Sequence, residues 1–91
     1  MAFLLTHFWP GGTEEQYRAT LAVAHPDGLP EGQIYHVAAE ADEGILIAAV
    51  WESEEACNRF LETLMSKDAV EGGLVGPPVA GGGEVVNLVT A

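Results

Sequence analysis

The stretch that leaves this chain the fewest options is Ile45–Met65, ILIAAVWESEEACNRFLETLM. Its opening run is apolar and rich in β-branched residues, which fits a buried strand ending at Trp51. Ser53 then stands where a helix N-cap belongs, and Glu54 and Glu55 fall where the helix dipole favours negative charge. Ala56, Cys57, Phe60, Leu61, Leu64 and Met65 recur at the spacing of one helical face. A strand that feeds directly into a one-sided helix needs a sheet on which to bury that side. The rest of the chain has to supply it.

It does so with three more strands and one more helix. Phe3–Trp9 reads as a strand, closed by Pro10-Gly11-Gly12. Thr13-Glu14-Glu15-Gln16 has the form of a capping box and opens a helix that runs to His25, with Tyr17, Leu21 and Ala24 along one face and Arg18 turned to water. Pro26, Asp27, Gly28, Pro30 and Gly32 make a stiff loop. Gln33–Asp42 is a second strand, Glu43-Gly44 a two-residue hairpin turn, and Ile45–Glu52 a third strand pairing back. Gly72–Gly83 is expected as a loop and candidate lid, and Glu84–Thr90 as the last strand. The order β-α-β-β-α-β predicts one α+β domain, residues 1–91, of the ferredoxin-like kind. Its antiparallel sheet takes the order 4-1-3-2, with both helices on one face.

The other face is then bare, yet the strands are apolar on both sides: Phe3 and Leu5 alternate with Leu4 and Phe8, and Ile45 and Ile47 with Leu46 and Val50. In a 91-residue chain that is 48% hydrophobic, a second copy is expected to cover that face, giving a homodimer. Three basic residues against fourteen acidic ones leave a net charge of −11. That field repels phosphate backbones and anionic bilayers, so neither nucleic acid nor membrane is an expected partner, and the acidic excess reads as a solubilising surface. The single cysteine, Cys57, excludes an intrachain disulfide, fits a reducing compartment and lies on the buried stripe as an inert thiol. The N-terminal MAFLLTHFW lacks a basic n-region, and no run approaches the length of a membrane span; cytoplasm is the expected location.

Three segments carry a family resemblance: Val50-Trp51-Glu52-Ser53-Glu54-Glu55-Ala56, Phe8-Trp9-Pro10-Gly11-Gly12-Thr13 and Gln33-Ile34-Tyr35-His36. Together with the element order over the whole length, they make the chain resemble the dimeric α/β-barrel superfamily. That group holds antibiotic-biosynthesis monooxygenase-like proteins, small polyketide cyclases and muconolactone isomerases. The resemblance implies cofactor-free chemistry of the monooxygenase, cyclase or isomerase type on a hydrophobic aromatic or polyketide-like substrate. One scaffold hosts all of these reactions, so the choice among them is analogy. Haem-degrading relatives carry a histidine on the second helix, and Ser53–Asp68 has none.

The hairpin places the candidate site. With Glu43-Gly44 as the turn, Asp42 faces Ile45, Glu40 faces Ile47, Ala38 faces Ala49 and His36 faces Trp51; a three-residue turn with a bulge would shift the pairing by one. In the first register Tyr35, Val37, Ala39, Leu46, Ala48 and Val50 form the face for helix packing. Ile34, His36, Ala38, Ile47, Ala49 and Trp51 then line the barrel interior. Taking the first strand to run in the direction of the third brings His7 and Trp9 to the end where Trp51 stands. Glu84 and Val85 arrive there too, with Asn87 further along.

His36 and His7 are thus the candidate general bases, because a neutral imidazole suits proton abstraction near pH 7. Trp51 and Trp9 would stack on the substrate, Asn87 would donate to a developing enolate oxygen, Ala38 and Ala49 would leave room, and Glu84 would lie at the rim. Each has a plainer reading. The two histidines also suit core imidazoles satisfied by a carbonyl or water, Trp51 a packing anchor, Asn87 an edge residue and His25 a helix-terminal partner of the dipole. His7 and His36 with Glu84 or Glu40 match no metal-ligand spacing, and no phosphate loop or nucleophilic triad is present. No cofactor is expected. Two functions remain: an enzyme with a histidine base, or a non-catalytic ligand-binding or structural dimer.

Overall fold

A computed structural model of the chain describes residues 1–65 and 70–90. The elements are β1 (Phe3–Pro10), α1 (Glu14–Ala24), β2 (Gln33–Ala41), β3 (Gly44–Trp51), α2 (Glu54–Met65) and β4 (Val79–Glu84). The sheet order β2-β3-β1-β4 is the expected ferredoxin-like order read from the opposite edge. Local chemistry sets the helix starts. Thr13 Oγ1 accepts from the Gln16 N–H at 3.2 Å and Gln16 Oε1 from the Thr13 N–H at 3.0 Å, which completes the capping box. At α2, Ser53 Oγ accepts from the Ala56 N–H at 3.1 Å. No described helix is long and apolar enough to cross a membrane.

Four features differ from the sequence expectation. First, β1 runs antiparallel to β3, with Phe3 opposite Trp51, His7 opposite Ile47 and Trp9 opposite Ile45. The α1 crossover makes β2 run the same way as β1, and the hairpin then reverses β3. His7 and Trp9 therefore stand toward the hairpin end, away from the rung of Trp51.

Second, the two-residue turn is Asp42-Glu43, one position earlier than expected, and it pairs Ala41 with Gly44, Glu40 with Ile45, Ala38 with Ile47 and His36 with Ala49. Gly44 serves the sheet instead of the turn. It is buried between neighbouring strands, and a Cβ on it would strike the carbonyl oxygen of Trp9.

Third, the helices cover the face that carries Ala49 and Trp51. The core is Ala49, Trp51, Ala56 and Cys57, with Phe3, Leu5, Phe60 and Leu61 packed around it. Tyr35, Val37 and Leu46 lie on the opposite face and are exposed by 45, 62 and 45%. The two faces are exchanged relative to the expected assignment. Both are apolar, so alternation alone cannot choose between them. The indole of Trp51 decides, because it fills the gap under α2 against the Phe60 ring, 5.2 Å between centroids.

Fourth, β4 is Val79–Glu84, so Gly81–Gly83 lie within the strand and residues 85–90 follow it without regular structure. A Cβ on Gly82 would sit 2.5 Å from the Leu4 carbonyl oxygen. The lack of a side chain is what lets this edge strand lie against β1. The last five residues of the expected loop 72–83 are thus strand.

Candidate functional site

The exchange of faces moves the site. A cavity of about 380 Å³ lies between the covered sheet face and the helices, within the range of about 300–1,000 Å³ usual for small-molecule sites. Leu5, Ala49, Phe60, Leu61 and Leu64 give it an apolar wall. Among the described residues that line it there is no Asp, Glu, Lys or Arg, in a chain of net charge −11.

Five of the residues singled out in the sequence meet here: His7 and Trp9 from β1, His36 from β2, and Ala49 and Trp51 from β3. Three do not. Ala38 pairs with Ile47 and borders a separate shallow depression shared with Glu14, Arg18 and Glu40. Glu84 is the exposed last residue of the edge strand, and Asn87 is exposed beyond it, because the strand expected to carry Asn87 has already ended. Leu74 and Pro78, from the segment expected as a lid, also line the cavity. Thr20 ties that segment to α1: its Oγ1 accepts from the Leu74 N–H at 2.8 Å and donates to the Gln16 carbonyl at 3.0 Å.

The structure adds Tyr17, His25 and Gln33. Tyr17 Oη and His36 Nε2 share a hydrogen bond of 2.7 Å. The His25 ring meets His36 edge to face, 4.8 Å between centroids, and also Phe60 at 5.9 Å. The helical period already put Tyr17 on the inward face with Leu21 and Ala24. The C-cap residue, His25, extends that face by one position. Gln33 left no periodic trace. Trp9 Nε1, Gln33 Oε1, His36 Nδ1 and Trp51 Nε1 are buried without a hydrogen-bond partner among the described residues. Buried polar atoms are nearly always paired, so four of them around one cavity mark it as a place for polar recognition.

Burial holds the imidazoles of His7, His25 and His36 below their ordinary value of 6.5, and His36 presses His25 lower still. Burial raises the Tyr17 phenol, partly offset by Arg18, and burial together with Glu54 raises the Cys57 thiol. At neutral pH the described lining of the cavity is uncharged. Unfolded histidines take up protons more readily than these do, so the associated stability is complete above pH 6.5 and is lost as pH falls through the depressed native values. Thermal melts from pH 7.5 down to pH 5 are expected to fall more steeply for the wild type than for His25→Gln. Equal slopes would show that His25 is not held neutral. Among the described residues, no three His, Cys, Asp or Glu side chains converge in a metal-like group.

No family model and no curated protein sequence matches the chain. Its fold recurs in solved structures. Rv0793 from Mycobacterium tuberculosis aligns with a TM-score of 0.60 at 13% identity over 98% of each chain. SnoaB, a cofactor-independent oxygenase from Streptomyces nogalater, aligns at 0.56 and 15% identity, over 99% of this chain and 97% of its own. A monooxygenase from the gene ActVA-Orf6 of Streptomyces coelicolor, in complex with Nanaomycin D, aligns at 0.53 and 20% identity, over 99% of this chain and 91% of its own. At these identities the likeness is one of fold, and it runs the full length of the chain.

Proposed function

We propose that the cavity takes a hydrophobic aromatic molecule of the polyketide-like kind and that the protein oxygenates it without a cofactor, with His36 as general base. The observation that carries this reading is a neutral imidazole, anchored through Nε2 to Tyr17, in an apolar cavity whose described lining has no carboxylate. Proton abstraction from an activated methylene leaves a carbanion in a poorly solvated site. Dioxygen combines with that carbanion to give a peroxide. Loss of water then leaves a ketone, so one oxygen atom enters the product and the other departs as water (R2CH2 + O2 → R2CO + H2O). His7 is the second imidazole available to return the proton. The hydrogen-bond donor expected of Asn87 is supplied instead by the Trp9 indole N–H.

The same reading includes a homodimer. A second copy covers the bare face of Tyr35, Val37 and Leu46, while each cavity stays beneath the helices of its own subunit. A ligand-holding protein without turnover is the alternative. It draws support from His36 itself, whose Nε2 is engaged by Tyr17 and whose Nδ1 is buried.

Anthrone in air, with product mass as readout, tests the reading. The wild type is expected to form the corresponding quinone. His36→Ala is expected to melt near the wild type and to turn over about a hundredfold to ten-thousandfold more slowly. An unchanged rate in that variant removes His36 from the chemistry, and binding of anthrone without product favours the non-catalytic reading.

A further inference from the structure

Gln33 is the one polar side chain that is buried among the described residues, 9% exposed, and its Oε1 has no hydrogen-bond partner. Directly across the β2–β3 ladder stands Trp51, 1% exposed, whose Nε1–H is also unpartnered. Both side chains line the cavity.

A β-bulge brings Gln33 there. Gln33 pairs with Trp51 and His36 with Ala49, so a separation of three residues on β2 matches two on β3. In an unbroken strand, residues three apart point to opposite faces. Here the register shift between Gln33 and Tyr35 puts Gln33 and His36 on the same face and leaves Ile34 37% exposed. The backbone is pinned on both sides of Gln33. Its N–H bonds to the Pro30 carbonyl at 3.0 Å, and the Glu52 N–H bonds to the Gly32 carbonyl at 2.7 Å. Gly32, at φ +88, lies so close to α2 that a Cβ would come within 2.7 Å of the Ala56 Cβ. A regular strand would have turned Ile34 inward and Gln33 to water, the arrangement that packing alone favours. The fold does the reverse, and none of the described residues then satisfies the amide oxygen.

We propose that Gln33 and Trp51 form a hydroxyl-reading subsite at the Phe3–Trp51 end of the cavity. The Gln33 carbonyl accepts the hydroxyl hydrogen of the ligand, and the Trp51 indole donates to the same oxygen. A hydroxyl is the smallest neutral group that offers a donor and an acceptor together. A carboxylate would oppose the amide oxygen, and an ammonium would leave the indole unmet. The proposal rests on the aromatic reading of the cavity and adds the orientation: the hydroxyl lies on the rung of Gln33 and Trp51, two rungs from that of His36 and on the same face.

The test compares anthrone with 2-hydroxyanthrone, whose hydroxyl lies too far from the ring carbonyl to bond to it, in oxygen-free buffer against the wild type, Gln33→Leu and Gln33→Met, by calorimetry and thermal melting. The wild type is expected to bind 2-hydroxyanthrone about tenfold more tightly than anthrone, and both variants to lose that preference while retaining anthrone. Without ligand, both variants are expected to melt about 4 °C higher, because an unmatched buried amide has been removed. A preference kept by both variants overturns the proposal, as does a fall of several degrees in both melting temperatures, which would give Gln33 a structural role. If neither compound binds the wild type, the aromatic reading fails. The subsite is then judged on the melts alone: a rise upholds it and a fall overturns it.

Discussion

Chains carrying Gly44→Val are expected to be recovered unfolded or aggregated, without the cooperative melt of the wild type. Gly44 opens β3 in the middle of the sheet, with Pro10 on one side and Ala41 on the other. A Cβ there meets the Trp9 carbonyl oxygen and comes within 3.1 Å of the Phe8 ring. A ladder carbonyl cannot turn aside without giving up its place in β1, and the neighbouring bond from the Gly11 N–H to the Glu43 carbonyl, 2.8 Å, closes the same corner. A clash of this kind belongs with the rare substitutions that cost more than about 4 kcal/mol. A small domain holds only about 5–15 kcal/mol in total. Circular dichroism and urea titration give the readout. A cooperative transition near that of the wild type would show that β1 and β3 do not meet in this register.

Trp51→Ala is the second large effect. Trp51 is the largest fully enclosed side chain among the described residues, and the core around it consists mainly of small or partly exposed groups. Removing the indole takes away the contact with Phe60 and leaves a void that Ala49, Ala56 and Cys57 are too small to fill. Tryptophan-to-alanine changes in cores cost about 3–5 kcal/mol. In a domain of this length that lowers the melting temperature by about 12 °C or more. Trp51→Phe, which keeps most of the packing, is expected to lose far less. An alanine variant melting within about 4 °C of the wild type would place the core elsewhere.

The sequence was legible where a local rule had no competitor. The capping box at Thr13 and Gln16, the cap at Ser53 and the order of the six elements each follow from short-range chemistry, and each is present. Legibility failed where the deciding interaction was long-range. Gly81–Gly83 look like a loop until β1 lies beside them, and the pressure on Gly82 comes from Leu4, far away in the chain. Gly44 resembles a turn residue for the same reason. Both faces of β3 are apolar, so only the docking of α2 tells which is covered. His7, Trp9, His36, Ala49 and Trp51 were found by residue type and strand position, and the two-residue offset in the hairpin preserved their common face. Strict alternation hid Gln33. Nothing in QIYH announces an extra residue between two ladder rungs.

The bulge at Ile34 also bears on how such a domain can change. Its effect is confined to the few residues before His36, because the ladder from Tyr35 to the hairpin is unbroken. Deleting Gln33 would close the bulge and set Ile34 opposite Trp51, so that an aliphatic chain replaces an amide on the inner wall while the rest of the ladder keeps its register. Descendants of one ancestor could diverge in ligand taste through such a length change, with the rest of the chain unaltered.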